Sequence, residues 1–130
     1  MESYQTDWLL VLIAALMNVA ISAAWYSNWL FGPAWLNLTK IKKQELTKFK
    51  VFWSFSVSLV IAYFISLFEL HLGITNVSDG MILGLLIWVG FVATTEITGV
   101  IGDAKPFKLF VIDSGARILS FVVMSGIIAA

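Results

Sequence analysis

The chain has 130 residues, of which 60% are hydrophobic and only 12% are charged, with eight basic and eight acidic side chains. A soluble domain carries about 25% charged residues, so this composition excludes a water-soluble globule, and the balanced charge gives no attraction to nucleic acid. The absence of cysteine excludes thiol redox chemistry, thiolate metal sites and disulfides, and the single His71 does not make a metal site alone.

Four long apolar stretches predict four transmembrane helices, since about 20 apolar residues in a helix cross a bilayer. The predicted spans cover about residues 7–30, 51–72, 80–102 and 107–129. The first stretch is too long for a secretory signal peptide and is not preceded by a basic residue, so it is interpreted as a retained span. We therefore predict one all-α domain over residues 1–130, a four-transmembrane-helix bundle.

The lysines fall into two of the connections between these spans. Five lie between residues 40 and 50, and Lys105 and Lys108 lie at the third connection. Cytoplasmic loops are enriched in lysine and arginine, so both Lys-rich loops are predicted to be cytoplasmic and both termini to lie on the outer side of the cell (inner) membrane. The stretch 40–50 is either a basic loop that only sets this topology or a short interfacial helix on anionic lipid.

Three charged residues fall well inside the third and fourth predicted spans, where each costs roughly 2.5–3.5 kcal/mol to insert. They are Glu96, Asp113 and Arg117, whereas Glu69 lies nearer the outer boundary, within reach of water. Counting from the third connection predicts similar depths for Glu96 and Asp113, with Arg117 about 6 Å deeper. Helical side chains lean toward the N-terminus of their own helix, so Arg117 and Glu96 are predicted to converge. Asp113, one turn before Arg117 on the same helical face, is within reach of its guanidinium but leans toward the cytoplasmic mouth.

This cluster holds two carboxylates and one cation, so burial of all three leaves one negative charge unpaired. That charge must be hydrated, paired with Lys108 or neutralised by a proton. The last case would make Glu96 or Asp113 a proton-binding site. The alternatives are an ion pair that only joins the third and fourth spans, and span boundaries that leave these groups among the lipid headgroups.

A polar stripe runs along the first predicted span. Asn18, Ser22 and Tyr26 are spaced four residues apart and share one helical face. Ser54 and Ser58 of the second span have similar predicted depths. The pattern indicates either a polar cavity open to the cytoplasm or close helix packing through small and polar side chains.

Several short motifs lie along most of the chain: 25–27 (WYS), 30–32 (LFG), 34–35 (AW), 90–95 (GFVATT), 108–110 (KLF), Gly115, Ser120 and 124–126 (MSG). With its length and four spans, the chain resembles the bacterial membrane-protein family catalogued as domain of unknown function 1761. The family has no assigned activity, so the resemblance implies no catalytic residue, cofactor or ligand.

The sequence supports two functions to a similar degree. The first is a channel or carrier for a proton, an ion or a small polar solute, which requires a homo-oligomer because four short helices rarely enclose a path. The second is a structural or accessory subunit of a larger membrane complex, indicated by the small extramembrane mass and by six Trp and ten Phe. Buried charges favour the first. The lack of a helix-breaking residue in mid-span counts against it, since Pro33 and Pro106 lie at span ends.

An enzyme that acts on a lipid-like substrate, with Glu96 or Asp113 as acid or base, is the least favoured function. The sequence has no recognisable set of nucleophile, base and orienting group, and no cluster of metal ligands. We therefore predict no enzymatic activity, no cofactor and no metal. The predicted partners are the lipid bilayer and either further copies of the chain or a larger membrane complex.

Overall fold

The computed structural model describes residues 7–27, 29–39 and 48–130. Every regular element in these ranges is helical. In chain order the elements are α1 (Trp8–Trp25), α2 (Gly32–Thr39), α3 (Lys48–Leu72), α4 (Val77–Ile87), a π-helical segment (Trp88–Ala93), α5 (Thr94–Gly102) and α6 (Phe107–Ala129). Of the stretch predicted as a basic loop or interfacial helix, residues 40–47 lie outside the described residues, and residues 48–50 form the first turn of α3.

Four helical stretches of the described chain are long and apolar enough to cross a membrane: Trp8–Trp25, Lys48–Leu72, Val77–Gly102 and Phe107–Ala129. At 1.5 Å per residue, the longer ones reach or exceed the hydrocarbon thickness of about 30 Å. The prediction of an all-helical chain with four such apolar stretches is therefore confirmed for the described residues.

The first helix ends at Trp25, whereas the sequence predicted a span to about residue 30. The backbone N–H of Phe31 donates to the Trp25 carbonyl at 2.9 Å, which closes a turn and starts α2 in a new direction. Gly32 allows this turn, because a Cβ at that position would lie 2.4 Å from the Tyr26 carbonyl oxygen. The turn brings the side chains that follow α1 back over the bundle.

The third apolar stretch contains a π-helical segment, Trp88–Ala93, between α4 and α5. Proline and helix-breaking pairs are absent there, and the sequence therefore predicted an uninterrupted helix. A π turn accommodates more residues than an α turn, so it changes which face of the following helix points at its neighbours. Such segments occur frequently at functional sites.

Helix α6 is the centre of the bundle and contacts α1, α3, α4 and α5. Its closest neighbour is α4. A Cβ added to Gly84 would lie 2.4 Å from the Phe121 carbonyl oxygen, and one added to Gly80 would lie 2.6 Å from the Ser125 carbonyl oxygen. Glycine at both positions therefore lets the two backbones approach closely.

The two ends of the bundle are packed differently. At the end where α1 begins and α6 ends, here called the termini end, a core of Val11, Ala14, Ala62, Ile65 and Met124 is almost fully buried. At the opposite end, here called the lysine end, no residue of 48–57 is buried and Gly99 is the one buried residue of α5. Within the described chain, α6 is the only long helix against which α5 packs substantially.

Glu69 departs from the sequence prediction. It was expected near the outer boundary, within reach of water, but it is only 3% exposed in the structure. It points into the seam between α3 and α6, where Ser125 Oγ donates a hydrogen bond to its Oε2 atom at 2.8 Å. Tertiary packing of α3 on α6 encloses a carboxyl whose position along its own helix suggested exposure.

Candidate functional site

Glu96 and Arg117 lie next to each other across the contact of α5 with α6. The Arg117 Nε atom is 3.7 Å from Glu96 Oε1, and the two side chains are 45% and 25% exposed, respectively. Ser114 Oγ donates a hydrogen bond to the other carboxylate oxygen, Glu96 Oε2, at 3.1 Å. The ion pair is too long to count as a hydrogen bond and is not bidentate. Arg117 makes no hydrogen bond to any described residue, so its terminal nitrogens keep their donors unused.

Asp113 does not share the Arg117 guanidinium, which the sequence had left as one of two alternatives. The Tyr26 hydroxyl donates to Asp113 Oδ1 at 2.5 Å. The Tyr26 ring is held edge-on against Trp35 of α2, with ring centroids 5.8 Å apart. The turn after α1 therefore supplies Asp113 with a neutral hydrogen-bond donor, the Tyr26 hydroxyl, in place of the Arg117 guanidinium.

Two indole groups bind the backbone of α6 at the same level. Trp25 Nε1 donates to the Ile112 carbonyl at 2.9 Å, and Trp88 Nε1 donates to the Ser114 carbonyl at 3.0 Å. Gly115 leaves room for the first ring, because a Cβ there would lie 2.9 Å from Trp25 Cζ2. Sequence reasoning missed both contacts, since a tryptophan donor and a distant carbonyl leave no local pattern.

A hollow of about 380 Å³ lies between α5 and α6 at the lysine end, here called the α5–α6 hollow. Its charged lining comprises three carboxyl groups and two cations: Glu96, Asp103, Asp113, Lys105 and Arg117. Asp103 and Lys105 were not predicted as members of this site. They join the site because the chain turns back at Ala104, which adopts a φ of 55°.

Lys105 reaches the α5–α6 hollow by crossing over Gly99. A Cβ at Gly99 would lie 3.1 Å from the Cδ atom of Lys105, so the glycine keeps the lysine chain close to α5. The backbone N–H of Lys105 also donates to the Gly99 carbonyl at 3.1 Å. The ammonium group at the mouth of the hollow is thus positioned by a glycine six residues earlier.

A larger hollow of about 710 Å³ lies on the other side of Arg117 and is called the α3–α6 hollow. Its lining is mainly apolar and includes Val57 and Phe121. Asn18 and Ser22 of the predicted polar stripe also line it, and Asn18 Nδ2 donates to Ser58 Oγ at 2.8 Å. The stripe is therefore divided, because its third member, Tyr26, points to Asp113.

Among the described residues, Arg117 alone lines both hollows. Its guanidinium therefore stands between a charged compartment and a mainly apolar one. Within the described part of the chain, no three His, Cys, Asp or Glu side chains are grouped closely enough to hold a metal ion. The chemistry offered by the arrangement is hydrogen bonding and charge pairing.

The sequence comparisons bear on the whole of this region. A family model with the description "Protein of unknown function (DUF1761)" matches residues 9–129, a range that includes both hollows. No curated protein and no solved structure shows significant similarity to the chain.

Proposed function

The chain belongs to the DUF1761 family, whose description assigns no activity, and we propose that it carries a proton, an ion or a small polar solute across a membrane. The proposed site is the cluster of Glu96, Asp113 and Arg117. One observation carries the proposal: Arg117 is 45% exposed, lines both hollows and makes no hydrogen bond to a described residue. A guanidinium has five donors, and unused donors beside a hollow are free to bind a solute. Charged groups inside membrane helices typically mark such pathways.

The proposed membrane is the cell (inner) membrane, with the lysine end in the cytoplasm and the termini end outside. Support comes from the lysine bias, because Lys48, Lys50, Lys105 and Lys108 all lie at one end of the bundle. In this orientation the α5–α6 hollow opens toward the cytoplasm. Its charged lining would then be hydrated from that side.

The proposed functional unit is a homo-oligomer. The lysine half of the bundle is open between α3 and α5. Four helices of this length rarely enclose a path by themselves. Further copies of the chain, arranged by a closed symmetry, would provide the missing walls.

Flux measurements on the purified protein in liposomes test this function. We compare wild type with Arg117→Ala, and use Lys108→Ala as the matched control, because Lys108 is an exposed cation on the same helix that lines neither hollow. Arg117→Ala should reduce the flux of protons or small solutes at least tenfold with an unchanged melting temperature, while Lys108→Ala should retain the wild-type flux. Equal flux in wild type and Arg117→Ala, or none in wild type for any of these solutes, would refute the proposal.

A structural or accessory subunit is the second candidate. It is favoured by the hydrogen bonds that tie the site to the scaffold, from Tyr26 to Asp113 and from Ser114 to Glu96. In that case Arg117→Ala should mainly lower the melting temperature. Native mass spectrometry of the protein extracted from its own membrane separates the two functions: a stoichiometric foreign subunit supports the second, and a closed homo-oligomer supports the first.

A further inference from the structure

Glu69 is a buried carboxyl group that the proposed function does not use. It lies at the termini end, is 3% exposed and accepts one hydrogen bond, from Ser125 Oγ to its Oε2 atom at 2.8 Å. Its other oxygen, Oε1, makes no hydrogen bond within the described part of the chain. The Glu96 carboxylate, by contrast, is a quarter exposed and has a guanidinium beside it.

The Ser125 hydroxyl is held in place by the tightest helix crossing in the described bundle. Ser125 is 0% exposed, and Gly80 of α4 lies so close that a Cβ there would be 2.6 Å from the Ser125 carbonyl oxygen and 2.5 Å from Ala129 Cβ. Water therefore has little room to replace the hydroxyl as a partner of Glu69. The carboxyl is solvated by one neutral donor in an otherwise packed seam.

No described cation pairs with Glu69. Three helices pack against α3, and α6 has no ionisable residue between Arg117 and its end. Among the described residues, α1 and α4 bring only acids to this end: Asp7 before α1 and Asp79 in the first turn of α4, both of them exposed. On α3 itself, Tyr63 stacks on Trp8, and the exposed His71 bonds the Leu67 carbonyl through Nδ1 at 2.9 Å.

An ionised carboxylate in these surroundings would be a buried charge without a partner, which proteins avoid because its desolvation is not compensated. Burial of a neutral carboxylic acid in the same surroundings costs far less desolvation free energy. Glu69 Oε2 accepts the Ser125 hydrogen bond and so corresponds to the carbonyl oxygen, which leaves Oε1 to carry the proton. The small remaining exposure of the residue gives this proton an access route.

We propose that Glu69 is a proton-binding site that holds its proton at neutral pH in the seam between α3 and α6. The site is separate from the Arg117 cluster, at the opposite end of the bundle. The proposal therefore goes beyond transport through that cluster and does not depend on it. A proton held there would be taken up and released at the termini end, independently of any solute bound at the lysine end.

Infrared spectroscopy of the protein in lipid nanodiscs at neutral pH tests the site. A protonated carboxylic acid gives a carbonyl-stretch band, separate from the amide bands, that shifts when H₂O is replaced by D₂O. We expect this band in wild type, its loss in Glu69→Gln, and its retention in Glu96→Gln as the matched control. No such band in wild type, or a band that persists in Glu69→Gln, would overturn the proposal.

Ser125→Ala keeps the test decisive if Glu69→Gln does not fold. This variant retains the carboxyl group and removes its donor, so the band should move to higher wavenumber, because a hydrogen bond to a carbonyl lowers its stretching frequency. A band that stays at its wild-type position in Ser125→Ala would assign the proton to another group. The infrared spectra do not depend on transport. A failure of the Glu69 proposal is therefore distinguishable from a failure of the transport proposal.

Discussion

The two halves of this bundle differ in how deeply their polar side chains are buried. At the termini end, Glu69 and Ser125 are enclosed by helices whose backbones touch through Gly80 and Gly84. At the lysine end, Glu96 and Arg117 lie beside hollows and keep a substantial part of their surface exposed. Stability is not uniform across a fold, and binding regions come from its less tightly packed parts. The comparison indicates a rigid half that anchors the helices and an open half that is available to a ligand.

The boundary between the halves coincides with the π-helical segment Trp88–Ala93. Before it, α4 packs on α6 through glycine contacts, and after it, α5 touches α6 through side chains that include the Glu96–Arg117 pair. The helical stretch runs over Val77–Gly102, but the kind of contact that it makes with α6 differs on the two sides of the π-helical segment. One local change in helical geometry therefore separates close packing from an open site.

Gly84→Ala should have the largest effect, because it breaks the rigid half. The new Cβ would lie 2.4 Å from the Phe121 carbonyl oxygen, which is backbone and has little freedom to move. We expect a loss of about 2 kcal/mol in the free energy of unfolding, measured by denaturant titration in detergent micelles. Gly90→Ala is the control, since no atom from outside its own stretch of helix lies within 4 Å of its Cβ position. Equal stability of the two variants would contradict the close crossing.

Tyr26→Phe should have an intermediate effect, located in the open half. It removes the hydrogen bond of 2.5 Å to Asp113, which leaves that carboxylate without its donor. We expect a loss of about 1.5 kcal/mol in the free energy of unfolding by the same titration. Tyr63→Phe is the matched control, because the Tyr63 ring stacks on Trp8 at 5.4 Å and its hydroxyl bonds no described residue. A loss in Tyr26→Phe no larger than that in the control would show that Asp113 is solvated independently of Tyr26.

Gly99→Ala should have the smallest effect and sharpens the comparison, because it repeats the Gly84 substitution in the open half. Its new Cβ would meet the flexible Lys105 chain at 3.1 Å, and that chain is able to move aside. We expect a free energy of unfolding within about 0.5 kcal/mol of wild type, since alanine also favours the helix. A loss as large as that of Gly84→Ala would mean that α5 is packed as firmly as α4.

The helices were predictable from the sequence because long apolar runs determine them locally. The proximity of Glu96 and Arg117 was also predictable, since it depends only on helical rise, on the lean of helical side chains and on a short connection. Each of these quantities is a property of one helix or of two consecutive helices. The family resemblance, too, rested on motifs visible in the chain and is confirmed over residues 9–129.

The remaining features depend on contacts between distant parts of the chain. Tyr26 reaches Asp113 only because the chain turns after Trp25, and the apolar run gave no sign that the helix ends there. Glu69 is buried because α6 packs across it, which its position near the end of α3 does not reveal. The π-helical segment has no proline or other marker in its sequence.

The central position of α6 has a consequence for how the protein is made. Among the described helices it is the last to leave the ribosome, yet α4 makes most of its contacts with it. Helices α1 and α3 contact each other and are able to associate as soon as both are inserted. The Gly80 and Gly84 contacts of α4 are therefore not made until α6 is available. Assembly of the described bundle is therefore completed only after synthesis of α6, and a chain interrupted before α6 would leave the glycine face of α4 uncovered.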